Sequence, residues 1–254
     1  AGVHSGDATL VFPAQRMYLE TTRQIRAVAK KIAKRLNING PFNIQFIAKN
    51  NAIQVIECNL RASRSFPFVS KVIKTNFIDL ATRIIMRAPF DAPDKSVFDL
   101  NHVGVKAPQF SFTRLEGADP TLGVEMASTG EVGCIGDDFH EAFLKALLSV
   151  GYRLPVKSVL LSLGSVDSKA ELLESVRALQ SMGVRINATE GTAKFLTEAG
   201  VPVTRLEWPL TKAQPNCMDA LKGRKLDLVI NIPKSNKREE LTNGYMIRRA
   251  AVDH

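Results

Sequence analysis

From Pro155 to Ile232 the chain alternates short apolar runs with amphipathic segments, and this rhythm restricts the fold more than any other sequence feature. Ser158–Ser162, Val184–Ala188, Val201–Leu206 and Leu226–Ile232 are apolar runs of strand length. Between them a helix is expected to open at Ser168, where Glu171 three residues on completes a capping box. A second is expected over Glu190–Ala199, stopped by Gly200, and a short third over Met218–Lys222. Strands apolar on both faces and joined by helices require a parallel sheet covered on both sides. The natural boundary of this layered α/β domain is Gly151–Pro155.

The first half has a different rhythm. Residues 14–36 read as a helix with an apolar stripe of Ile25, Val28, Ile32 and Leu36. Arg23, Arg26, Lys30, Lys34 and Arg35 lie largely off that stripe, as a solvated helix face does. Phe42–Lys49 and Ala52–Asn59 then read as two strands joined by a turn at Asn50–Asn51. Residues 66–88 return to helical spacing and stop at Pro89 and Pro93, and Asp91–Leu100 is a loop. Strand-like segments follow at Val103–Phe112 and Glu131–Ile135, then a helix over Phe139–Ser149. Two domains are expected, an α+β part over 1–153 and an α/β part over 154–254.

Composition excludes several classes. The 254 residues are 45% hydrophobic and 23% charged, enough apolar material for real cores. The formal charge of +9 favours anionic partners. The aromatic residues are mainly Phe within apolar runs, and no recognition motif accompanies the charge, so nucleic acid is not an expected partner. No apolar run reaches the length of a membrane span. Cys58, Cys134 and Cys217 lack CxxC spacing, which argues for a reducing compartment, the cytoplasm with the mitochondrial matrix as the alternative, and against a zinc site. The first residue is not Met, so the chain reads as part of a longer one.

The most informative side chains lie on the expected hairpin. Glu57 and Asn59 are two apart on one strand and leave the same face. Folding at Asn50–Asn51 is expected to bring Gln45 opposite Glu57, so that three hard oxygen ligands converge. Magnesium suits such an incomplete cage, which leaves positions for water and phosphates. Arg61 and Arg64 follow at once and can bind phosphate oxygens. On spacing alone, the same residues also describe an ordinary polar sheet face.

The run Ile56-Glu57-Cys58-Asn59-Leu60-Arg61-Ala62-Ser63-Arg64-Ser65-Phe66-Pro67-Phe68-Val69-Ser70-Lys71 resembles the metal-binding signature of the second ATP-grasp module of carbamoyl-phosphate synthetase large chains. The opening Ala1-Gly2-Val3-His4-Ser5-Gly6-Asp7-Ala8 and the run Met126-Ala127-Ser128-Thr129-Gly130-Glu131-Val132 are similar to the same family. The Cys58-Asn59-Leu60 form, where bacterial members usually carry Pro at the third position, is closer to the eukaryotic branch. The resemblance implies that Glu57 ligates two Mg2+ or Mn2+ ions, with Gln45 and Asn59 each completing one. It implies that Arg61 and Arg64 bind the reacting carboxy or phosphate group and that His4 contacts the nucleotide. The implied reaction is phosphorylation of carbamate by ATP. The part of the module that covers the triphosphate is expected upstream of Ala1, so this polypeptide alone is expected to be inactive. Its implied partners are the rest of the synthetase chain and a glutamine amidotransferase domain or subunit.

Residues 154–254 resemble the methylglyoxal-synthase-like allosteric domain of the same chains, a Rossmann-like parallel sheet, shortened here before its final strand and helix. Its effector candidates are Lys169, Thr189, Thr192, Trp208 and Asn231. Thr189 and Thr192 flank a helix start, where capping competes with ligand contact as their role, and Trp208 could simply be core. In the family, members activated by N-acetylglutamate place Trp at this position and bacterial nucleotide-regulated members place Lys. The N-acetylglutamate type adds an Asn where this chain has Lys234, which favours a uridine nucleotide and leaves N-acetylglutamate second. Methylglyoxal synthases need an Asp in the loop after the fourth strand, and Asn231–Lys237 contains no carboxylate. Two rival functions remain: a free-standing effector-binding protein, which has no use for metal ligands, and another ATP-grasp ligase, against which the appended α/β domain speaks.

Overall fold

The computed structural model describes residues 4, 6–94, 100–211, 213–232 and 238–254. Residues 1–3 and 5 of the opening motif, 95–99 of the expected loop, and 233–237, including Lys234, lie outside the described residues. The chain forms two compact units. One comprises residues 1–110 and 122–152, the other 111–121 and 153–254.

In the first unit, α1 (Leu19–Arg35) starts later than residue 14, at an N-cap Tyr18 whose side chain makes no capping bond. Ile25, Val28 and Ile32 are half-buried, the basic residues of the opposite face are exposed, and Leu36 is exposed as well. The helix packs on a hairpin of β2 (Asn43–Lys49) and β3 (Ala52–Asn59). Asn50 and Asn51 both have positive φ, 50° and 63°, the mirror-type turn that matches strand twist. The buried Thr21 hydroxyl of α1 donates to Asn51 Oδ1 at 2.9 Å and ties helix to turn.

The helix expected over 66–88 is two helices, α2 (Phe66–Ile73) and α3 (Phe77–Ile85). Lys74 turns left-handed at φ 59°, and Asn76 Oδ1 accepts from Ile78 N and Asp79 N. A side chain that caps a new helix this well competes with continuation of the old one. Beyond them, β1 (Leu10–Phe12), which the sequence pattern did not reveal, pairs with β4 (Val103–Gln109), and β4 pairs with β5 (Gly130–Gly136), all antiparallel. The expected strand 103–112 therefore stops at Gln109, and Phe112–Arg114 is a 3-10 turn. α4 (Phe139–Ser149) covers this sheet. Asp138 caps its start, its Oδ1 accepting from Glu141 N, and Glu141 Oε2 accepts from Asp137 N, one residue before the cap. Gly104 lets α2 approach the sheet, since a Cβ there would lie 2.3 Å from Val72 Cγ2.

The second unit carries the parallel sheet. Its strands β6 (Ser158–Leu163), β7 (Arg185–Thr189), β8 (Thr204–Leu206) and β9 (Leu228–Ile232) lie in the order β8-β7-β6-β9. β8 is shorter than the expected 201–206, because Pro202 cannot donate to a ladder. α5 (Val166–Ser181) and α6 (Glu190–Glu198) cover one face over a core that includes Val159, Leu161, Ile186 and Leu196. α5 begins before Ser168: Ser165 is the N-cap and accepts from Ser168 N at 3.0 Å. α7 (Cys217–Lys222), capped by Asn216, and α8 (Arg238–Asp253) cover the other face over Leu160, Leu206, Cys217 and Ile247. Burial pushes the Cys217 thiol up to about 11, which makes it an inert core group. The sequence reading had no element after residue 232, so α8 is a finding of the structure.

Candidate functional site

The hairpin holds the first candidate site. A two-residue turn at 50–51 in unbroken register would pair Gln45 with Ile56 and leave Glu57 on the opposite face. The observed register shifts instead between Gln45 and Phe46, so that Ile56 is the extra residue of a β-bulge. Gln45 thereby pairs with Glu57 and Asn43 with Asn59, and all four side chains leave one face. Asn59 Nδ2 donates to Glu57 Oε1 at 2.9 Å. Among the described residues Glu57 forms no ion pair. Asn43 was missed in the sequence, although its two-residue spacing from Gln45 was the signal for it.

This donor set suits a hard divalent cation. It offers one carboxylate and several amide oxygens on an accessible strand face, and magnesium or manganese takes such oxygen ligands. No group of three His, Cys, Asp or Glu that could hold a metal occurs among the described residues. Arg61 and Arg64 are exposed and form no ion pair among the described residues. Arg61 Nη1 donates to Ala62 O at 3.2 Å, and the Arg64 guanidinium lies against the Met126 sulfur.

The segments that carry the opening motif and the Met126–Val132 motif meet around Asp7. Asp7 is buried, and its carboxylate accepts from Ala127 N at 3.0 Å and Ser128 N at 2.8 Å. Burial pushes its pKa up, but these hydrogen bonds and the nearby His4 outweigh burial and hold it below the ordinary value. Gly6 admits Met126, since a Cβ there would lie 2.6 Å from the sulfur. Gly6 N donates to His4 Nδ1 at 3.0 Å, and among the described residues Nε2 of His4 has no hydrogen-bond partner. Lys106, 2% exposed, donates to Gly6 O at 3.2 Å and to Glu131 Oε2 at 3.0 Å. Neither Asp7 nor Lys106 was singled out from sequence: Asp7 meets Ala127 120 positions away, and Lys106 joins Gly6, 100 positions away, to Glu131, 25 away.

The second candidate site lies at the carboxyl ends of the parallel strands. The register pairs Thr189 with Leu206 and Ser162 with Asn231, which draws one row across the sheet. Thr189, 1% exposed, occupies the N-cap of α6 but makes no side-chain capping bond; its hydroxyl lies 3.4 Å from Ser162 Oγ. Thr192 Oγ1 accepts from Leu163 N at 2.9 Å and donates to Leu163 O at 3.1 Å. Neither threonine therefore caps α6 through its side chain, and Thr192 clamps α6 to β6. Lys169 Nζ donates to Gly191 O at 3.1 Å, in the first turn of α6. Asn231 Oδ1 accepts from Arg248 Nη1 at 3.2 Å. Trp208 is half-buried against the core that α7 and α8 cover. Ser162 and Arg248 were not picked out from sequence; register and fold bring them in. A cavity of about 740 Å³ sits at the opposite, amino ends of the strands, lined by Ser158, Arg185, Asn187, Asp219 and Lys225 among others. None of the five effector candidates lines it.

Comparison with known proteins identifies both regions. Residues 1–92 match the family model described as carbamoyl-phosphate synthase L chain, ATP binding domain, and residues 171–254 match the MGS-like domain. Multifunctional protein pyr1-3 of Dictyostelium discoideum is 52% identical over 258 residues, which cover 100% of this chain and 12% of that protein. Multifunctional protein URA2 of Saccharomyces cerevisiae is 50% identical over 263 residues, with the same coverage of each. The human protein named carbamoyl-phosphate synthase (ammonia), mitochondrial, is 43% identical over 262 residues, covering 100% of this chain and 17% of that protein. The chain thus spans a small fraction of the relatives it matches. No helix among the described residues is long and apolar enough to cross a membrane.

Proposed function

Because the chain belongs to the carbamoyl-phosphate synthetase large-chain family, we propose that its hairpin face carries the metal ligands for phosphorylation of carbamate by ATP. The observation that supports this most is the bulge-made pairing of Gln45 with Glu57, with Asn59 bonded to the same carboxylate. In the reaction a carbamate oxygen attacks the γ-phosphorus and the bond from that phosphorus to the bridging oxygen of ADP breaks. The products are carbamoyl phosphate and ADP. Bound Mg2+ or Mn2+, two ions in this reading, would neutralise phosphate oxygens as charge moves onto the leaving group.

The remaining work belongs to this chain's own side chains. Gln45, Glu57 and Asn59 hold the cations through hard oxygen atoms. Arg61 and Arg64, on the segment directly after β3, supply fixed positive charge for the transferred group. His4, with Nδ1 engaged by Gly6, offers Nε2 to the nucleotide. The rest of a synthetase chain and a glutamine amidotransferase are the proposed partners, in the cytoplasm or the mitochondrial matrix. The full-length protein is expected to form ATP from ADP and carbamoyl phosphate only when Mg2+ or Mn2+ is added. Absence of ATP formation with either metal would refute this reading.

The second unit is proposed to bind a small anionic effector, a uridine nucleotide first and N-acetylglutamate second. Two observations support it: α6 begins without a side-chain cap, so its first amides remain available to an anion, and Lys169 reaches that same turn. The Trp208 ring offers a flat wall for a base. In calorimetry of the full-length protein, Lys169→Ala is expected to weaken uridine triphosphate binding about tenfold, roughly 1.4 kcal/mol. Equal affinity of variant and wild type would remove Lys169 from the site. Binding of N-acetylglutamate but not of the nucleotide would reverse the order of the two ligands.

A further inference from the structure

The chain leaves β4 at Gln109, gives residues 111–121 to the second unit, and returns to the first before entering β5. Within the second unit this excursion is fastened to α8. Arg249, 7% exposed, donates from Nη1 to the carbonyls of Phe112, Leu115 and Ala118 at 3.1, 3.1 and 3.0 Å. Tyr245 Oη donates to Gly117 O at 2.8 Å. Arg248 grips both carboxylate oxygens of Asp119, from Nε at 3.0 Å and Nη2 at 2.7 Å. Its remaining terminal nitrogen donates to Asn231 Oδ1.

One guanidinium therefore joins the strand-end row to the excursion. The planar fork makes the link directional: the nitrogen that faces Asn231 and the two that hold Asp119 lie in one rigid plane. Gly244 opens the space for it. A Cβ at that position would lie 2.9 Å from Arg248 Nη1 and 3.6 Å from Asn231 Oδ1. Glycine is disfavoured inside a helix relative to alanine, and here it admits the crossing guanidinium. Arg249 is the fixed anchor of the excursion, and Arg248 is the member that reaches the candidate effector row.

We infer that the Asn231–Arg248–Asp119 chain couples effector occupancy to the excursion, and through its return segment to the substrate side of the first unit. The inference rests on the effector reading proposed above. The return segment runs into Met126–Ser128, which Asp7 holds and which touches Arg64. An effector that engages the Asn231 amide fixes or displaces its bond to Arg248 and so changes the grip on Asp119. The two grips, Arg248 on Asp119 and Asp7 on residues 127–128, bracket the segment whose position would change.

The test uses the full-length protein and two readouts: uridine triphosphate affinity by calorimetry, and ATP formation from ADP and carbamoyl phosphate with and without saturating nucleotide. Asp119→Asn is expected to bind within about threefold of wild type and to keep its basal rate within about twofold. Its response to the nucleotide is expected to disappear, while Asp119→Glu, which keeps the charge, retains at least half of it. A full response in Asp119→Asn overturns the inference. Lost nucleotide binding in that variant overturns it too, because Asp119 would then belong to the site and not to the route. If wild type itself neither binds nor responds, the effector reading fails and takes the coupling with it. That outcome is distinguishable because it appears before any substitution is made.

Discussion

Replacing Glu57 with alanine in the full-length protein should lower ATP formation from carbamoyl phosphate and ADP by at least about a hundredfold, or roughly 2.7 kcal/mol of transition-state stabilisation. Glu57 is the only carboxylate in the four-residue face of Asn43, Gln45, Glu57 and Asn59. Amide oxygens can complete a coordination sphere, but they do not offset the charge of a divalent cation as a carboxylate does. The alanine variant also strips Asn59 of its one observed side-chain partner, so the second amide loses its orientation. Two controls separate chemistry from folding. The variant should melt close to wild type, because Glu57 is exposed and forms no ion pair among the described residues. Gln45→Ala should lose less than Glu57→Ala, since it removes a neutral ligand. A Glu57→Ala rate within about threefold of wild type, below roughly 1 kcal/mol, would mean that the metals are held elsewhere.

The largest stability effect is expected at Asp7. Removing its carboxylate in Asp7→Ala leaves the backbone N–H groups of Ala127 and Ser128 without their acceptor in a buried setting, at a cost of about 2–4 kcal/mol. Urea denaturation of this chain at neutral pH measures it. The pH dependence has a definite sign. The Asp7 pKa is depressed on folding, so its charged form contributes stability that is fully present above the ordinary value of 3.8. That contribution is lost as pH falls through the folded value. The gap between wild type and variant should therefore narrow below pH 3.8 and stay constant from there to neutrality. A variant as stable as wild type at pH 7, or a gap that widens in acid, would show that other contacts hold the two motifs together.

The elements that were legible in the sequence are those specified by local chemistry. Alternation of apolar runs and helices after Pro155 announces a covered parallel sheet, because a strand buried on both faces must be apolar at every position. Asn50–Asn51 announces its turn because asparagine tolerates positive φ at low cost. Misplaced boundaries have local causes that only geometry decides. Ser165 and Ser168 are both chemically competent caps, and the one aligned with the first free amide is Ser165. The 66–88 segment has continuous helical spacing, yet Asn76 caps a second start inside it.

The candidate sites divide along the same line. The residues alone specify the kinds of group present: one carboxylate among amides on a hairpin strand, arginines just beyond it, and lysine and threonines around a helix start at a strand end. The fold sets which of them meet. Whether Gln45 faces Glu57 depends on the single extra residue at Ile56, and a one-residue shift exchanges the two faces of a strand. Local sequence carries no obligation to bulge there. The roles of Asp7, Lys106 and Arg248 each depend on a partner 100 to 129 positions away. The allegiance of residues 111–121 to the second unit is set by arginines on a helix that comes more than a hundred residues later. Periodicity reports on neighbours along the chain, whereas these contacts depend on which elements the chain brings together, and only the folded backbone holds that information.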